Sequence, residues 1–160
     1  MDPRMGAFDA VMYDVEEDPT LRSFIVVLVE TESPPDLARL RFRMDRLTRL
    51  LPKLRQRVVG NPMSLVPPRW ETVENFDLDY QIRQVVLPEG NMTDLLAHTA
   101  SWSSQDFDRA RPLWELAYFI GLQGDRGAIA LKLHHAITDG VGGMQLAAAL
   151  LDLTPDADDP

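Results

Sequence analysis

His134-His135-Ala136-Ile137-Thr138-Asp139-Gly140 is the stretch of this chain whose residue types and spacing suit a chemistry: two imidazoles, then an acid and a glycine. A neutral imidazole held out of bulk water is a suitable general base near neutral pH. The residues before it set its direction. In an extended segment Ile129, Leu131, Leu133 and His135 share one face, and Lys132 and His134 share the other. His135 is therefore expected to point to the apolar side at the end of a strand and to act as the base, with His134 supporting the fold or the loop. Asp139, just ahead of a helix and beside Gly140, is expected in a structural role that orients the loop, by capping the helix or by pairing with Arg55, Arg57 or Arg83. Gly142 and Gly143 are the candidate substrate-binding positions, where bared backbone N–H groups at a helix start meet developing negative charge. The chain has no Gly-x-Ser-x-Gly elbow. The acceptor substrate itself would then be the nucleophile, with no covalent enzyme intermediate.

Taken alone, two adjacent histidines are more often structural than catalytic. Adjacent strand residues also face opposite ways, which argues against a metal shared between them. The added Asp-Gly changes the odds, since the full spacing arises by chance on the order of once per few thousand chains of this size.

The elements that must carry this segment are legible around it. Leu113–Ile120 and Ala128–His135 read as a hairpin across the turn 121–127. Val141–Leu151 has the composition of a helix. Upstream, Phe24–Val29 is a continuous apolar run rich in β-branched residues and predicts a strand buried on both faces. Ser33 is placed as an N-cap with Pro34 at the first helical position. Leu37, Leu40, Met44, Leu47 and Leu51 then form one helical face, which Pro52 should end. Arg69–Val73 and Asp79–Leu87 are weaker strands, and Thr93–Ala100 a short helix capped by Asn91 or Thr93. Asp152–Pro160, with two prolines and four aspartates, looks like a linker.

Composition narrows the function. The 160 residues, 45% hydrophobic, suffice for one domain with a sizeable core. A net charge of -9 makes a general nucleic-acid binder a poor candidate. The absence of cysteine removes a thiol nucleophile, a thiolate-bound metal and any disulfide, and fits a reducing cytoplasm. The longest purely apolar run is far short of the ~20 residues that span a bilayer, so the expectation is a cytoplasmic protein, in solution or peripheral at a membrane or lipid inclusion. Within that acidic chain, residues 36–57 hold eight cations against Asp36 and Asp45. A functional reading is an anionic partner such as a phosphate-bearing ligand or lipid headgroups. The competing and favoured reading is a solvated helix face. Trp70 and Trp102 are expected in the core, with a lipid-facing surface as the alternative, and His98 is expected to be incidental and without partners.

His-His-x-x-x-Asp-Gly is the signature of the coenzyme-A-dependent acyltransferase superfamily, whose fold chloramphenicol acetyltransferase shares with peptide-synthetase condensation domains. Phe76–Tyr80, Leu87–Gly90, Phe107–Trp114 with Pro112-Leu113-Trp114 inside it, and Lys132–Gly140 follow in the order and spacing of one branch, and Asp9-Ala10 also fits. The chain resembles the bacterial wax ester synthase/diacylglycerol acyltransferase family over essentially its whole length. Gln81 departs from the pattern, standing where a histidine is expected. The resemblance implies an α+β fold, a chloramphenicol acetyltransferase-like lobe with a mixed sheet flanked by helices. Residues 1–152 would be the first of two lobes and 153–160 the start of the interlobe linker. It implies a tunnel between lobes and His135 as base, with His134, Asp139 and Gly140 completing the motif. It also implies transfer of a long-chain acyl group from acyl-CoA, a co-substrate, to diacylglycerol or a fatty alcohol, with no other cofactor and no metal. Because the family's proteins are longer, three arrangements stay open: a piece of a longer chain, a half completed by a C-terminal lobe in a second chain, or a degenerate lobe that binds lipid or a partner without catalysis. A condensation-type domain using carrier-protein thioesters is the remaining enzymatic reading, and the Pro-Leu-Trp context argues against it.

Overall fold

The computed structural model describes residues 4–16, 18–22, 24–60, 66–138 and 140–150. Asp139 and the expected linker at 153–160 lie outside the described residues. Five helices and six strands are formed among them: α1 Ala7–Val15, β1 Phe24–Thr31, α2 Leu37–Leu50, β2 Gln56–Val59, β3 Arg69–Thr72, α3 Leu78–Gln81, β4 Ile82–Val86, α4 Met92–Ser103, β5 Trp114–Ile120, β6 Gly127–His134 and α5 Gly140–Ala149. Four strands make a mixed sheet in the order β1-β6-β5-β4, antiparallel except for the parallel pair β4-β5. β2 and β3 form a separate antiparallel ribbon. This is the α+β arrangement of a mixed sheet flanked by helices that the resemblance implied.

β6 is one of the two interior strands and is buried along its whole length. Its alternation sorts the core into two faces. Ile129, Leu131 and Leu133 pack with Trp114, Leu116 and Tyr118 of β5 beneath Leu40 and Met44 of α2 and Ala147 of α5. Ala128 and Ala130 pack with Ala117 and Phe119 beneath Leu95 and Trp102 of α4. A third cluster joins Ala10 and Tyr13 of α1 to Val58, Trp70, Phe107, Leu113 and Ala136, and it lies next to the histidine motif.

Several boundaries differ from expectation for identifiable reasons. α2 is capped by Asp36, whose carboxylate accepts the amides of Ala38 at 2.7 Å and Arg39 at 3.1 Å, not by Ser33. Pro34 precedes Pro35 and is thereby held out of helical geometry, so the helix starts only beyond both prolines. The strand expected from Asp79 begins at Ile82, because Asp77 accepts the amides of Asp79 and Tyr80 and caps the short helix α3. α1 and β2 were not anticipated. α1 lacks a side-chain cap bond, and its apolar residues Phe8, Val11 and Val15 lie on the exposed face, so its apolar pattern gave no guide to which side it buries. Pro52 ends α2 as expected, opening a 3₁₀ turn over Pro52–Arg55.

One glycine is demanded by the backbone. Gly90 has φ +64°, its carbonyl accepts the Gln123 amide at 2.9 Å, and a Cβ there would sit 2.1 Å from the Gly121 carbonyl oxygen. This contact ties the loop after β4 to the hairpin turn between β5 and β6. Gly90→Ala is expected to destabilise the domain by about 2 kcal/mol or more, read as a drop in the urea midpoint with an unchanged slope. A midpoint equal to wild type would contradict the placement.

Candidate active site

β6 stops at His134, one residue earlier than the sequence alternation suggested, and His135 opens a turn. The strand therefore aims His134, while the turn aims His135. The turn is closed by the Ile137 amide donating to the His134 carbonyl at 3.0 Å. It is gripped at Ala136 from both sides. The Ala136 N–H donates to Nδ1 of His134 at 2.9 Å, and the Ala136 carbonyl accepts from Nζ of Lys53 at 2.8 Å. Lys53 also lies over the Trp70 ring, 5.1 Å from its centroid.

His134 is 1% exposed, and its second nitrogen, Nε2, is 2.7 Å from Oε2 of Glu16, itself 2% exposed. Both ring nitrogens are thus spent on the fold. His135 is different. It is half-buried, yet its Nδ1 is shielded from solvent and has no hydrogen-bond partner among the described residues. A buried polar nitrogen left unmatched costs about 1–3 kcal/mol and calls for a reason. Of the two adjacent histidines, only His135 keeps a ring nitrogen free to meet something else.

Asp139, expected to orient the loop, lies outside the described residues. The arginines considered as its partners have carboxylates of their own: Arg55 pairs with Asp45 at 2.7 Å, Arg57 with Glu71 at 2.6 Å and Arg83 with Glu115 at 3.4 Å. Gly140 opens α5. Gly143 has a use that needs no ligand, since a Cβ there would come within 3.3 Å of Ile25 and 3.5 Å of Leu133, so the glycine lets α5 lie close on the sheet. A shallow apolar recess lies against the same face, lined by residues that include Met44, Leu54, Trp114, Leu133 and Leu150 but neither histidine.

The Pro-Leu-Trp segment is a structural hub. The Pro112 carbonyl accepts from the Gln81 amide at 3.1 Å, the Leu113 carbonyl accepts the His134 N–H at 3.0 Å, and the Trp114 indole donates to the Leu54 carbonyl at 2.8 Å. Gln81 is thereby explained as a buried donor to this segment. Trp70 and Trp102 are both buried, so neither lines a lipid-facing surface here. His98 is not without partners, because its Nδ1 lies 2.9 Å from the Asp94 carboxylate one helical turn earlier. In the arginine-rich stretch Arg41 pairs with Asp79, Arg49 with Asp45, and Arg43 is buried with a bond to the Leu150 carbonyl. Of the net +6 over residues 36–57, the charges of Arg41 and Arg57 meet carboxylates outside the stretch, Asp79 and Glu71.

Behind the motif on the opposite face lies a second charged group that the sequence did not flag. Lys132 is 0% exposed, donates to the Gln105 carbonyl at 2.6 Å, and sits 4.0 Å from the Glu115 carboxylate between the rings of Phe24, Trp102 and Phe107. Burial pulls its pKa below 10.5, with Glu115 and Asp106 opposing the shift and Arg83 and Arg22 adding to it. Glu115 also accepts the Trp102 indole N–H at 3.0 Å. This network is structural. Among the described residues no three His, Asp or Glu side chains gather as a metal site, and no helix is long and apolar enough to cross a membrane.

Comparison with known proteins gives a consistent result. The family described as wax ester synthase/diacylglycerol acyltransferase catalytic domain matches residues 5–160. A putative diacylglycerol O-acyltransferase of Mycobacterium tuberculosis is 33% identical over 153 residues, which is 95% of this chain and 31% of that protein. The O-acyltransferase WSD of Acinetobacter baylyi is 42% identical over 78 residues, 48% of this chain and 17% of its own length. The wax ester synthase/diacylglycerol acyltransferase structure from Marinobacter aquaeolei superposes with a TM-score of 0.73 at 26% identity, covering 96% of this chain and 39% of that one. A condensation domain of the calcium-dependent antibiotic synthetase superposes with a TM-score of 0.72 at 17% identity, a likeness of fold alone. The chain spans about a third of the length of the relatives it matches along its whole extent.

Proposed function

Because the chain belongs to the wax ester synthase/diacylglycerol acyltransferase family, we propose that it supplies the base-bearing lobe of an O-acyltransferase that moves a long-chain acyl group from acyl-CoA to diacylglycerol or a fatty alcohol. His135 takes the proton of the acceptor hydroxyl. The oxygen attacks the thioester carbonyl, the C–S bond breaks, and the proton passes to the departing coenzyme A thiolate. No covalent enzyme intermediate forms, and acyl-CoA is the co-substrate, with no further cofactor called on. Asp139 and Gly140 hold the loop. The first turn of α5, where Gly142 is half-buried and Gly143 lies against the sheet, is our candidate for backbone contact with the substrate. The observation that carries this reading is the contrast within the histidine pair: both nitrogens of His134 are engaged, while Nδ1 of His135 is shielded and unmatched among the described residues. We assign the rest of the site to a second lobe of the length the relatives have beyond this chain, in cis or as a second polypeptide.

The test is an assay with that length supplied, offering palmitoyl-CoA or palmitoyl-carrier protein as donor and diacylglycerol or hexadecanol as acceptor. Ester formation with release of free coenzyme A, and a preference of at least about tenfold for the CoA donor, is the expected result. Transfer from the carrier protein alone would favour the condensation-type reading, and no transfer from either donor would favour a non-catalytic lobe.

A further inference from the structure

The buried carboxylate of Glu16 lies 118 residues from the histidine it meets, at the C-terminal end of a helix outside the motif. A carboxylate out of water costs several kcal/mol unless its bonds are good, so its partner matters. One partner is His134, 2.7 Å away and enclosed by the rings of Tyr13 at 5.7 Å, Phe24 at 6.4 Å and Phe107 at 6.5 Å. The two bonds of the imidazole determine each other. Nδ1 accepts the Ala136 N–H, so it carries no proton, and the proton sits on Nε2, where it is donated to Glu16. The opposite tautomer would set an N–H against the Ala136 N–H and a lone pair against the carboxylate. Glu16 makes that tautomer unfavourable at both ends, as a carboxylate does when it orients a functional imidazole.

We propose that Glu16 is a positioning residue for acyl transfer: by fixing the tautomer of His134 it secures the Ala136 N–H, and so the turn that presents His135. This rests on the reading of His135 as the base. Glu16 makes no contact with substrate in this scheme. Its effect passes through one imidazole and one backbone amide to the adjacent residue, and misplacing a catalytic group by a fraction of an ångström is enough to slow a reaction.

The test compares Glu16→Ala and Glu16→Gln in the complete, transferring assembly, with His135→Ala alongside. Glu16→Ala is expected to lower kcat about 10- to 100-fold while KM for palmitoyl-CoA stays within about threefold. Glu16→Gln keeps an oxygen that can accept from Nε2 and should recover most of the loss. A ¹⁵N spectrum of the histidine rings at neutral pH supplies a readout that does not depend on activity: the Nε2–H form of His134 in wild type and Glu16→Gln, and loss of that single form in Glu16→Ala. If Glu16→Ala does not fold, Glu16→Asp, with the carboxylate drawn back by one methylene, should show both losses. An unchanged kcat or an unchanged His134 tautomer in Glu16→Ala, or in Glu16→Asp where it replaces it, overturns the proposal. Retained activity in His135→Ala, with the tautomer still dependent on Glu16, would instead remove the base assignment, and the positioning role with it.

Discussion

Replacing His135 by alanine is expected to cut kcat for acyl transfer by about 10²–10⁴-fold, the usual contribution of a general base, and to leave stability unchanged or slightly raised. The two halves of that expectation have one cause. Nδ1 of His135 is buried without a partner among the described residues, so the folded chain carries a penalty that the alanine variant sheds, and no described hydrogen bond of this nitrogen is lost in return. A residue kept for packing behaves in the opposite way, with stability falling. The measurement pairs steady-state kinetics with urea unfolding of the same preparation. A His135→Ala protein within a few-fold of wild-type kcat would remove the base assignment. One that unfolds more than about 2 kcal/mol earlier would make His135 a structural residue.

The largest expected effect on stability is at Glu115. Glu115→Ala removes the carboxylate beside the fully buried Lys132 and leaves the Trp102 indole N–H without its acceptor. Breaking one side of a buried pair costs about 3–5 kcal/mol, a large part of the ~5–15 kcal/mol that holds a domain together. The pH dependence identifies the cause. Lys132 has a folded-state pKa held below the ordinary 10.5, and losing Glu115 removes a charge that was holding it up. Between that lowered value and 10.5 the unfolded chain binds more protons than the folded one, so stability rises with pH across this window. The deficit of Glu115→Ala should therefore shrink as pH is raised towards 10, and the double variant Glu115→Ala/Lys132→Met should show no such recovery. A deficit below about 1 kcal/mol, or one that does not change with pH, would mean that the pair is not the source.

The bonds around the motif also explain how two neighbouring histidines come to differ. Strand β6 delivers His134 into a closed aromatic enclosure, while the turn that begins one residue later takes His135 out of the strand's alternation. Lys53 and His134 hold the same residue, Ala136, by its carbonyl and its amide. The turn therefore depends on β6 on one side and on the 3₁₀ turn after α2 on the other.

By itself the sequence determined the parts that depend on neighbours along the chain. The strand at 24–29 (though half-buried at the sheet edge, not buried on both faces as its apolar run suggested), the apolar spacing of residues 37–51 stopped by Pro52, the hairpin around residues 121–127 and the motif at 134–140 each follow from local periodicity, proline geometry or residue order, and together they were enough to identify the family. Two local expectations failed where a short-range bond outweighed the pattern, at Asp36 and at Asp77, whose carboxylates decide where helices start. What only the tertiary structure decided is which distant groups meet: Glu16 with His134, Lys53 with Ala136, Gln81 with Pro112, and Glu115 with both Lys132 and Trp102. Spacing along a chain carries no record of such meetings. They arise when two amphipathic surfaces close over a sheet and polar groups trapped between them must find partners in place of water. The shielded Nδ1 of His135 is one of the few buried polar atoms that find no partner among the described residues, and only the tertiary structure makes that visible.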